Sequence, residues 1–480
     1  MESDISSILP SGKMFLATNS QLHERYDPYY IYHKLNTSLE SKYKSERLSS
    51  LVNTFSGGTP SKSNTSYWDG DIPWISPKDF NGFNLFETED KITEEGVKNS
   101  STKVAPKNSV IIVVRSGVLA HTFPVCINQV PAAINQDLKV LTPTTEKLLP
   151  EFLGYYFFTF GEKLLPLVTK HGTTVHSINT EQFERLQIPV PPIDIQEKVI
   201  SIYQEHFETK AQKEAKAKEL LNSIDDYLLS ELGIEVPKKD NSLENRIFKA
   251  SLKNLAGVRF DPDYHSKFYR DLQKEIEKST FDLKPLGNLS EFIKGGKTPA
   301  SSKYSDKPTD YPIVKVGSYT NDYIDLNKVG YIKSSNNSTP VQKGDIFILS
   351  AAHQAEYVGK SIKILTEEPP VETAYVGELI NLRTNKHVAN PLYIFSVLSL
   401  EIFKTLINRE KTGQTSHVYG KDLEHINIPA PSLEKQNEIA SHIRSKQKKA
   451  KQLKEEGEQA VEEARQQVEE MILEEDSVSA

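Results

Sequence analysis

The stretch QIPVPPIDIQEKVI, residues 187–200, returns as NIPAPSLEKQNEIA at residues 427–440. Each begins with a short apolar step, passes through prolines that stop one element, and enters a long polar run without breakers. One such match in 480 residues carries little weight. Its neighbours decide the matter. RYDPYY at 25–30 is echoed by RFDPDYH at 259–265, an offset of 234. The stretch opening at Gly57-Gly58 is echoed by FIKGGKTPA at 292–300 with offset 238, and GTTVH at 172–176 by GQTSH at 413–417 with offset 241. The quoted turn repeats at offset 240. These echoes keep their order and nearly keep their spacing, so the chain is a tandem duplication. An internal repeat outranks any single motif in setting architecture.

Both copies follow one plan. A polar lead-in and a glycine loop come first, then strand-like runs such as SVIIVV (109–114) and DIFILS (345–350). The aromatic runs PEFLGYYFFTF (150–160) and NPLYIFSVLSLEIF (390–403) predict helices, and the proline turn leads into a long polar helix. From Ile195 to Leu232 there is no Pro or Gly, and from Leu433 to Leu473 only Gly457. Apolar residues recur by threes and fours: Ile195, Val199, Ile202, Leu221, Ile224 and Leu228 in one, Ile439, Ile443, Ala450, Leu453, Val461, Ala464, Val468 and Met471 in the other. So narrow a stripe fits a seam between two helices better than a broad globular face. The alternative is two separate surface helices, each packed on its own domain. The expected class is α+β: two similar domains of mixed sheet plus helices, related by a pseudo-twofold axis and joined by an antiparallel coiled coil. The segments are a lead-in (1–43), a first domain (44–191), a central helix (192–235), a linker with the second lead-in (236–280), a second domain (281–431), and a C-terminal helix with acidic tail (432–480).

Composition fits two or three domains of a soluble globular protein, with 37% hydrophobic and 26% charged residues. No run approaches the roughly 18 apolar residues of a membrane span. The N-terminus lacks a basic stretch followed by an apolar block, which argues against secretion. A lone cysteine, Cys126, allows neither an internal disulfide nor a cysteine zinc cluster. A cytoplasmic protein is expected. The net charge of −7 looks wrong for a nucleic-acid binder, but residues 451–480 hold ten acids against three bases and carry all of it. The first 450 residues are balanced at 55 of each sign. The acidity is local.

Several fragments imitate catalytic motifs and fail on context. GGKT at 295–298 resembles the end of a phosphate loop, but the required first glycine is Glu291, and Pro299 stands where a helix should run. VGKS at 358–361 fails likewise, with Gln354 at the glycine position. NPLY at 390–393 is similar to a methyltransferase box, yet no glycine-rich cofactor loop accompanies it, and the repeat aligns it with a helix start at Leu149-Pro150. Pro262-Asp263 with Asp282-Leu283-Lys284 can be forced onto a nuclease pattern that the first copy lacks. No histidine pair has ligand spacing.

GGTPS followed by YWDGDIPWIS, the IPVPPIDIQEKV turn into a helix, the duplication and the two long helices together resemble the specificity subunits of type I restriction–modification systems. The resemblance runs from about Arg25 to the C-terminal helix. It implies a non-catalytic reader of double-stranded DNA, with two target-recognition domains that each read half of a split, asymmetric site. It also implies helices that space them and dock two methyltransferase subunits, with restriction subunits beyond, and no membrane. No cofactor is expected in this chain; S-adenosylmethionine, ATP and magnesium would belong to the partners. Two other readings stand beside it: a specificity subunit of another restriction type, or a coiled-coil protein bridging two ligand-binding domains without DNA.

Candidate DNA contacts follow from residue chemistry and position. In the first glycine loop they are Gly57, Gly58, Thr59, Ser61 and Lys62, with Ser76 and Lys78 beyond it. Glycines there would permit positive φ and close backbone approach, and the N–H and OH groups of the serines and threonines could grip a phosphate. Trp68 and Trp74 are expected to pin this loop to the core. Lys297, Thr298, Lys303 and Lys315 occupy the second loop region, where YPIVKV replaces IPWISP and no tryptophan remains. Arg115 and His121 follow SVIIVV, and His353 and Gln354 follow DIFILS; arginine and glutamine can pair with guanine and adenine edges. Lys170 and His176, and Lys411, Gln414 and His417, lie in the second glycine loops. On the long helices, Lys210, Lys213, Lys216 and Lys218 would face the run from Arg444 to Lys454 and splay outward into one basic patch.

Overall fold

The computed structural model describes residues 28–36, 39–170, 175–237, 264–320, 323–335, 339–413 and 416–473, with the single positions 242, 247, 260 and 262. It divides into two units, one drawing on Met1–Lys213 and Lys454–Ala480, the other on Glu214–Leu453.

In the first unit, alternating and continuous β-branched runs form the two larger sheets. Val110–Val113 is buried at every position, as a strand covered on both faces must be. It lies between Leu138–Pro143 and Val125–Asn128 in a five-stranded sheet whose outer strands are Val52–Phe55 and Asn84–Leu85. A four-stranded sheet sets Trp68–Ile75 parallel to Ala132–Ile134, with Trp74 opposite Ala133 and Ile75 opposite Ile134. The aromatic run forms the helix Pro150–Val168 and buries Phe152, Phe157 and Phe160 completely. Tyr155 stacks between Phe83 and Tyr203, with ring centroids 4.2 and 4.5 Å away. Tyr203 comes from the long helix Ile193–Leu232, and its buried hydroxyl meets Thr159 Oγ1 at 2.6 Å. Burial is the main cause that pushes this phenol up to about 12.

The second unit repeats the scheme. Ile346–Leu349 is again wholly buried, in a four-stranded sheet with Leu379–Thr384 and Ile362–Ile364 on its flanks and Ser290–Gly295 beyond. A second sheet sets Pro312–Val314 parallel to Ala374–Tyr375, with Ile313 opposite Ala374 and Val314 opposite Tyr375. The aromatic run, expected as one helix, is two: Pro391–Ser399 and Glu401–Arg409, bent by 78° at Leu400. Both halves sit in the core. No single helix among the described residues is long and apolar enough to cross a membrane.

The long helices are Ile193–Leu232 and Leu433–Ile472, close to the stretches free of breakers. They pack against each other antiparallel within each unit. In the first, Lys210 pairs with Glu458 at 2.8 Å and Lys213 with Glu456 at 2.5 Å. Gly457 lies against Lys210, where a Cβ would meet the lysine Cγ at 3.3 Å. In the second, Ala217, Ala450 and Leu453 form a small buried seam, and Lys446 Nζ donates to Ser223 Oγ at 2.8 Å. Lys210 and Lys213 therefore face acids, and Lys446 is committed to Ser223 and to the Tyr227 ring. The single basic patch expected at mid-coil is corrected to this extent.

Candidate nucleic-acid interface

The first glycine loop is held to the protein at both glycines. The amides of Gly57 and Gly58 donate to the carbonyls of Asn135 and Ile134, at 3.3 and 3.0 Å. A Cβ on Gly57 would stand 2.0 Å from the Ile134 carbonyl oxygen, and one on Gly58 2.0 Å from Ser101 Oγ. Positive-φ glycines among the described residues are Gly233, Gly344, Gly359 and Gly413, so neither loop glycine uses the left-handed region. Close approach is what demands them. This corrects the expected use of positive φ. The tryptophans pin the loop as anticipated. Trp74 Nε1 donates to the Gly58 carbonyl at 3.2 Å, Trp68 Nε1 to the Ser61 carbonyl at 3.1 Å, and the rings meet edge to face at 5.3 Å.

Other polar groups around this loop are also engaged. Thr59 Oγ1 donates to Gln136 Oε1 at 2.6 Å, and Ser61 Oγ meets Ser63 Oγ at 2.8 Å. Ser76 is buried, and its hydroxyl donates to Asp79. Lys78 sits 3.0 Å from both Glu89 and Asp90, whose hydrogen bonds hold its ammonium above the usual lysine range. Ser76 and Lys78 thus complete local structure. Lys62 is exposed.

Hydrogen bonds also reset the equivalence of the two loops. The Lys297 amide donates to the Tyr375 carbonyl, as Gly58 does to Ile134, and a Cβ on Gly296 would stand 2.2 Å from the Val376 carbonyl oxygen. Gly296 therefore matches Gly57 and Lys297 matches Gly58, one residue later than the offset of 238 implied. Gly295 meets nothing within 4 Å. Thr298 takes the place of Thr59, and its hydroxyl donates to Glu378 at 2.9 Å. With no tryptophan here, the Tyr375 hydroxyl on the neighbouring strand donates to the Lys294 carbonyl, just ahead of the loop, at 3.3 Å. Lys303 is exposed, and Lys315 Nζ lies over the Tyr304 ring at 5.7 Å.

The remaining candidates do converge. Arg115–Ser116 extends past the buried strand and pairs with His176–Ile178, which pairs in turn with Thr169–Lys170. Arg115, Lys170 and His176, separated by up to 61 residues in sequence, share one small sheet. His121 is exposed at the end of the turn that follows Arg115. In the second unit, isolated bridges join His417 to Ala351 and to Thr412. His353 and Gln354 are exposed just beyond Ala351, Lys411 Nζ donates to Asn408 Oδ1 at 2.9 Å, and Gln414 lies outside the described residues. Asn390, from the methyltransferase-like NPLY, caps its helix by accepting from the amides of Leu392 and Tyr393 at 2.9 and 3.1 Å. Tyr393 is fully buried, so this fragment is structural. Ser177 and Thr412, which border the repeated loops and which sequence reasoning did not single out, stand next to these candidates in the strand pairing.

A family model for the type I restriction modification DNA specificity domain matches residues 40–222 and again 278–463. The chain is 36% identical over 205 residues to the EcoR124I/EcoR124II type I restriction enzyme specificity subunit of Escherichia coli, covering 42% of this chain and 50% of that one. It is 28% identical over 267 residues to the MjaIX type I restriction enzyme specificity subunit of Methanocaldococcus jannaschii, covering 54% of each. The matched region thus spans about half the length of these curated relatives. A solved S subunit of a type I restriction-modification system from M. genitalium aligns at 15% identity and TM-score 0.40, over 91% of this chain and 98% of that one. With the family's domain matched once on each half of the duplication, the chain belongs to the type I restriction modification DNA specificity family.

Proposed function

We propose that this chain is the DNA-sequence reader of a restriction–modification complex of type I and has no catalysis of its own. Each unit reads one half of a bipartite, asymmetric site in double-stranded DNA. The paired helices set the gap between the halves and offer docking surfaces to two copies of a methyltransferase subunit, with restriction subunits joining beyond them. S-adenosylmethionine, ATP and magnesium act in those partners, in the cytoplasm. One observation carries the reading. The family's domain occurs twice, and its equivalent positions hold different side chains, as two different half-sites require.

A swap tests it. Residues 44–186 are replaced by the corresponding region of a relative, and the methylome of cells carrying the assembled complex is sequenced. One half of the recognised sequence changes and the other stays. A change in both halves, or in neither, removes the two-reader function. Native mass spectrometry at saturating methyltransferase gives two copies per chain, and a one-to-one complex removes that stoichiometry.

A further inference from the structure

Register places Lys170, Ser177 and Arg115 in a single row across three antiparallel strands, Ser177 lying opposite both of the others. Residues directly opposite in a ladder project to the same face, and successive residues alternate. Thr169 and Ile178, one step along, are buried at 1% and 8% exposure and mark the core face. The row therefore faces away from the core, where Lys170 and Arg115 are exposed. With strands about 4.8 Å apart, the backbones of Lys170 and Arg115 lie about 10 Å from each other. That spacing lies within the width of about 12 Å of a B-form major groove.

The second unit builds the same frame and fills it differently. In the first, the Val114 amide donates to the Asp137 carbonyl and the Ile178 amide to the Val114 carbonyl. In the second, the Ser350 amide donates to the Glu378 carbonyl and the Val418 amide to the Ser350 carbonyl. Ala351 is thus the counterpart of Arg115, and His417 of Ser177. The bridge of His417 to Thr412 completes the row. Equivalent backbones carry Lys–Ser–Arg in one unit and Thr–His–Ala in the other.

We infer that this row is the base-reading element of each unit, which rests on the DNA-reading function proposed above. In the first unit the Arg115 guanidinium pairs with the O6 and N7 acceptors of a guanine, the pairing its forked geometry fits. Lys170, at the other end, holds a backbone phosphate as a point charge. The glycine loop buttresses the row through the 134–137 segment. In the second unit Thr412 and His417 read a half-site that needs no arginine.

The test is selection from a randomised duplex DNA library by the purified full-length chain, followed by sequencing of bound DNA. The wild type returns a bipartite motif with a guanine in the half read by the first unit. R115A lowers the preference for that guanine on the order of ten- to a hundredfold, and R115Q moves it toward adenine; neither alters the other half. K170A weakens binding to all sequences alike and reduces the salt slope by about 1. H417A changes the other half alone. Lys170 and Arg115 project away from the core, so their variants keep the wild-type melting temperature; should R115A lose it, R115Q decides. Recovery of the wild-type motif by R115Q, or a change in the half that H417A also alters, overturns the inference while the DNA-reading function stands. A wild-type chain that enriches no motif overturns that function itself.

Discussion

Gln196 and Gln436 occupy equivalent places in the repeated stretch, and both are almost fully buried, at 0% and 1% exposure. Gln196 accepts from the Leu149 amide and donates to the carbonyls of Lys147 and Pro191, at 2.9, 2.7 and 2.8 Å. Gln436 accepts from the Asn390 amide and donates to Val388 and Pro431, at 2.9, 3.1 and 2.9 Å. Each glutamine locks the start of a long helix to the start of an aromatic helix, where backbone groups lack partners. Gln196→Ala leaves three backbone groups unmet, the Pro191 carbonyl among them buried, and lowers stability by about 2–4 kcal/mol in urea unfolding. Glu197→Ala, on the exposed side of the same turn, stays within about 0.5 kcal/mol. Equal losses would show that the glutamine network is not what holds the two helices. The glycines give a paired contrast. Gly57→Ala and Gly296→Ala force a Cβ into a backbone carbonyl and cost about 1–3 kcal/mol, whereas Gly295→Ala meets open space and costs almost nothing. A sensitive Gly295 with a tolerant Gly296 would return the equivalence of the loops to the offset of 238. Sequence showed the glutamines as a repeat and the glycines as a pair. It did not show burial, because a glutamine at the start of a polar helix reads as surface until the facing element is known.

At the scale of elements, period and breakers made most of the architecture legible. The strand cores and both long helices fall where continuous apolar runs and the absence of Pro and Gly put them. The second aromatic helix was misjudged because Leu392 to Phe403 is apolar at every position but Ser396, Ser399 and Glu401, so no periodicity reveals the bend at Leu400. The pinning of the second loop was illegible for another reason. The tryptophan is absent and Tyr375, on the parallel neighbour, bonds just ahead of the loop, so a sequence comparison in register sees only a loss. On the long helices, lysine runs suggested electrostatics, but the small residues dominate the close contact. Ala217 and Ala450 are buried at 0% and 1%. Ala217→Leu overpacks the seam and costs about 1–3 kcal/mol. Lys210→Ala and Lys213→Ala each cost less than about 1 kcal/mol, since partly exposed ion pairs contribute little. Urea unfolding of the three variants checks the order, and a lysine variant costlier than Ala217→Leu would make charge the determinant.

At the scale of the whole molecule, each long helix ends against the start of a recognition domain. The Lys42 amide and Ser41 hydroxyl donate to the Ile472 carbonyl at 3.1 and 2.8 Å, and the Thr280 amide and Ser279 hydroxyl to the Leu232 carbonyl at 3.0 and 2.9 Å. A helix held at its far end in this way cannot lengthen without carrying its neighbour along, which is the physical basis for treating the pair as a ruler. Four added residues extend an α-helix by about 6 Å and turn it about 40° beyond a full turn. Duplex DNA advances about 3.4 Å per base pair, so the extension matches one or two pairs, and the added rotation is close to that of one pair. A change in one helix alone would leave an unpaired bulge beside the Ala217, Ala450 and Leu453 seam. The insertion therefore belongs in both helices, near Ala215 and Leu453. The expected product reads the same two half-sites across a gap one or two base pairs longer, detected by sequencing methylated DNA from cells carrying the assembled complex. Methylation of the original spacing by a well-assembled variant would mean that the helices do not set the distance, and that the gap is fixed by contacts the two readers make elsewhere.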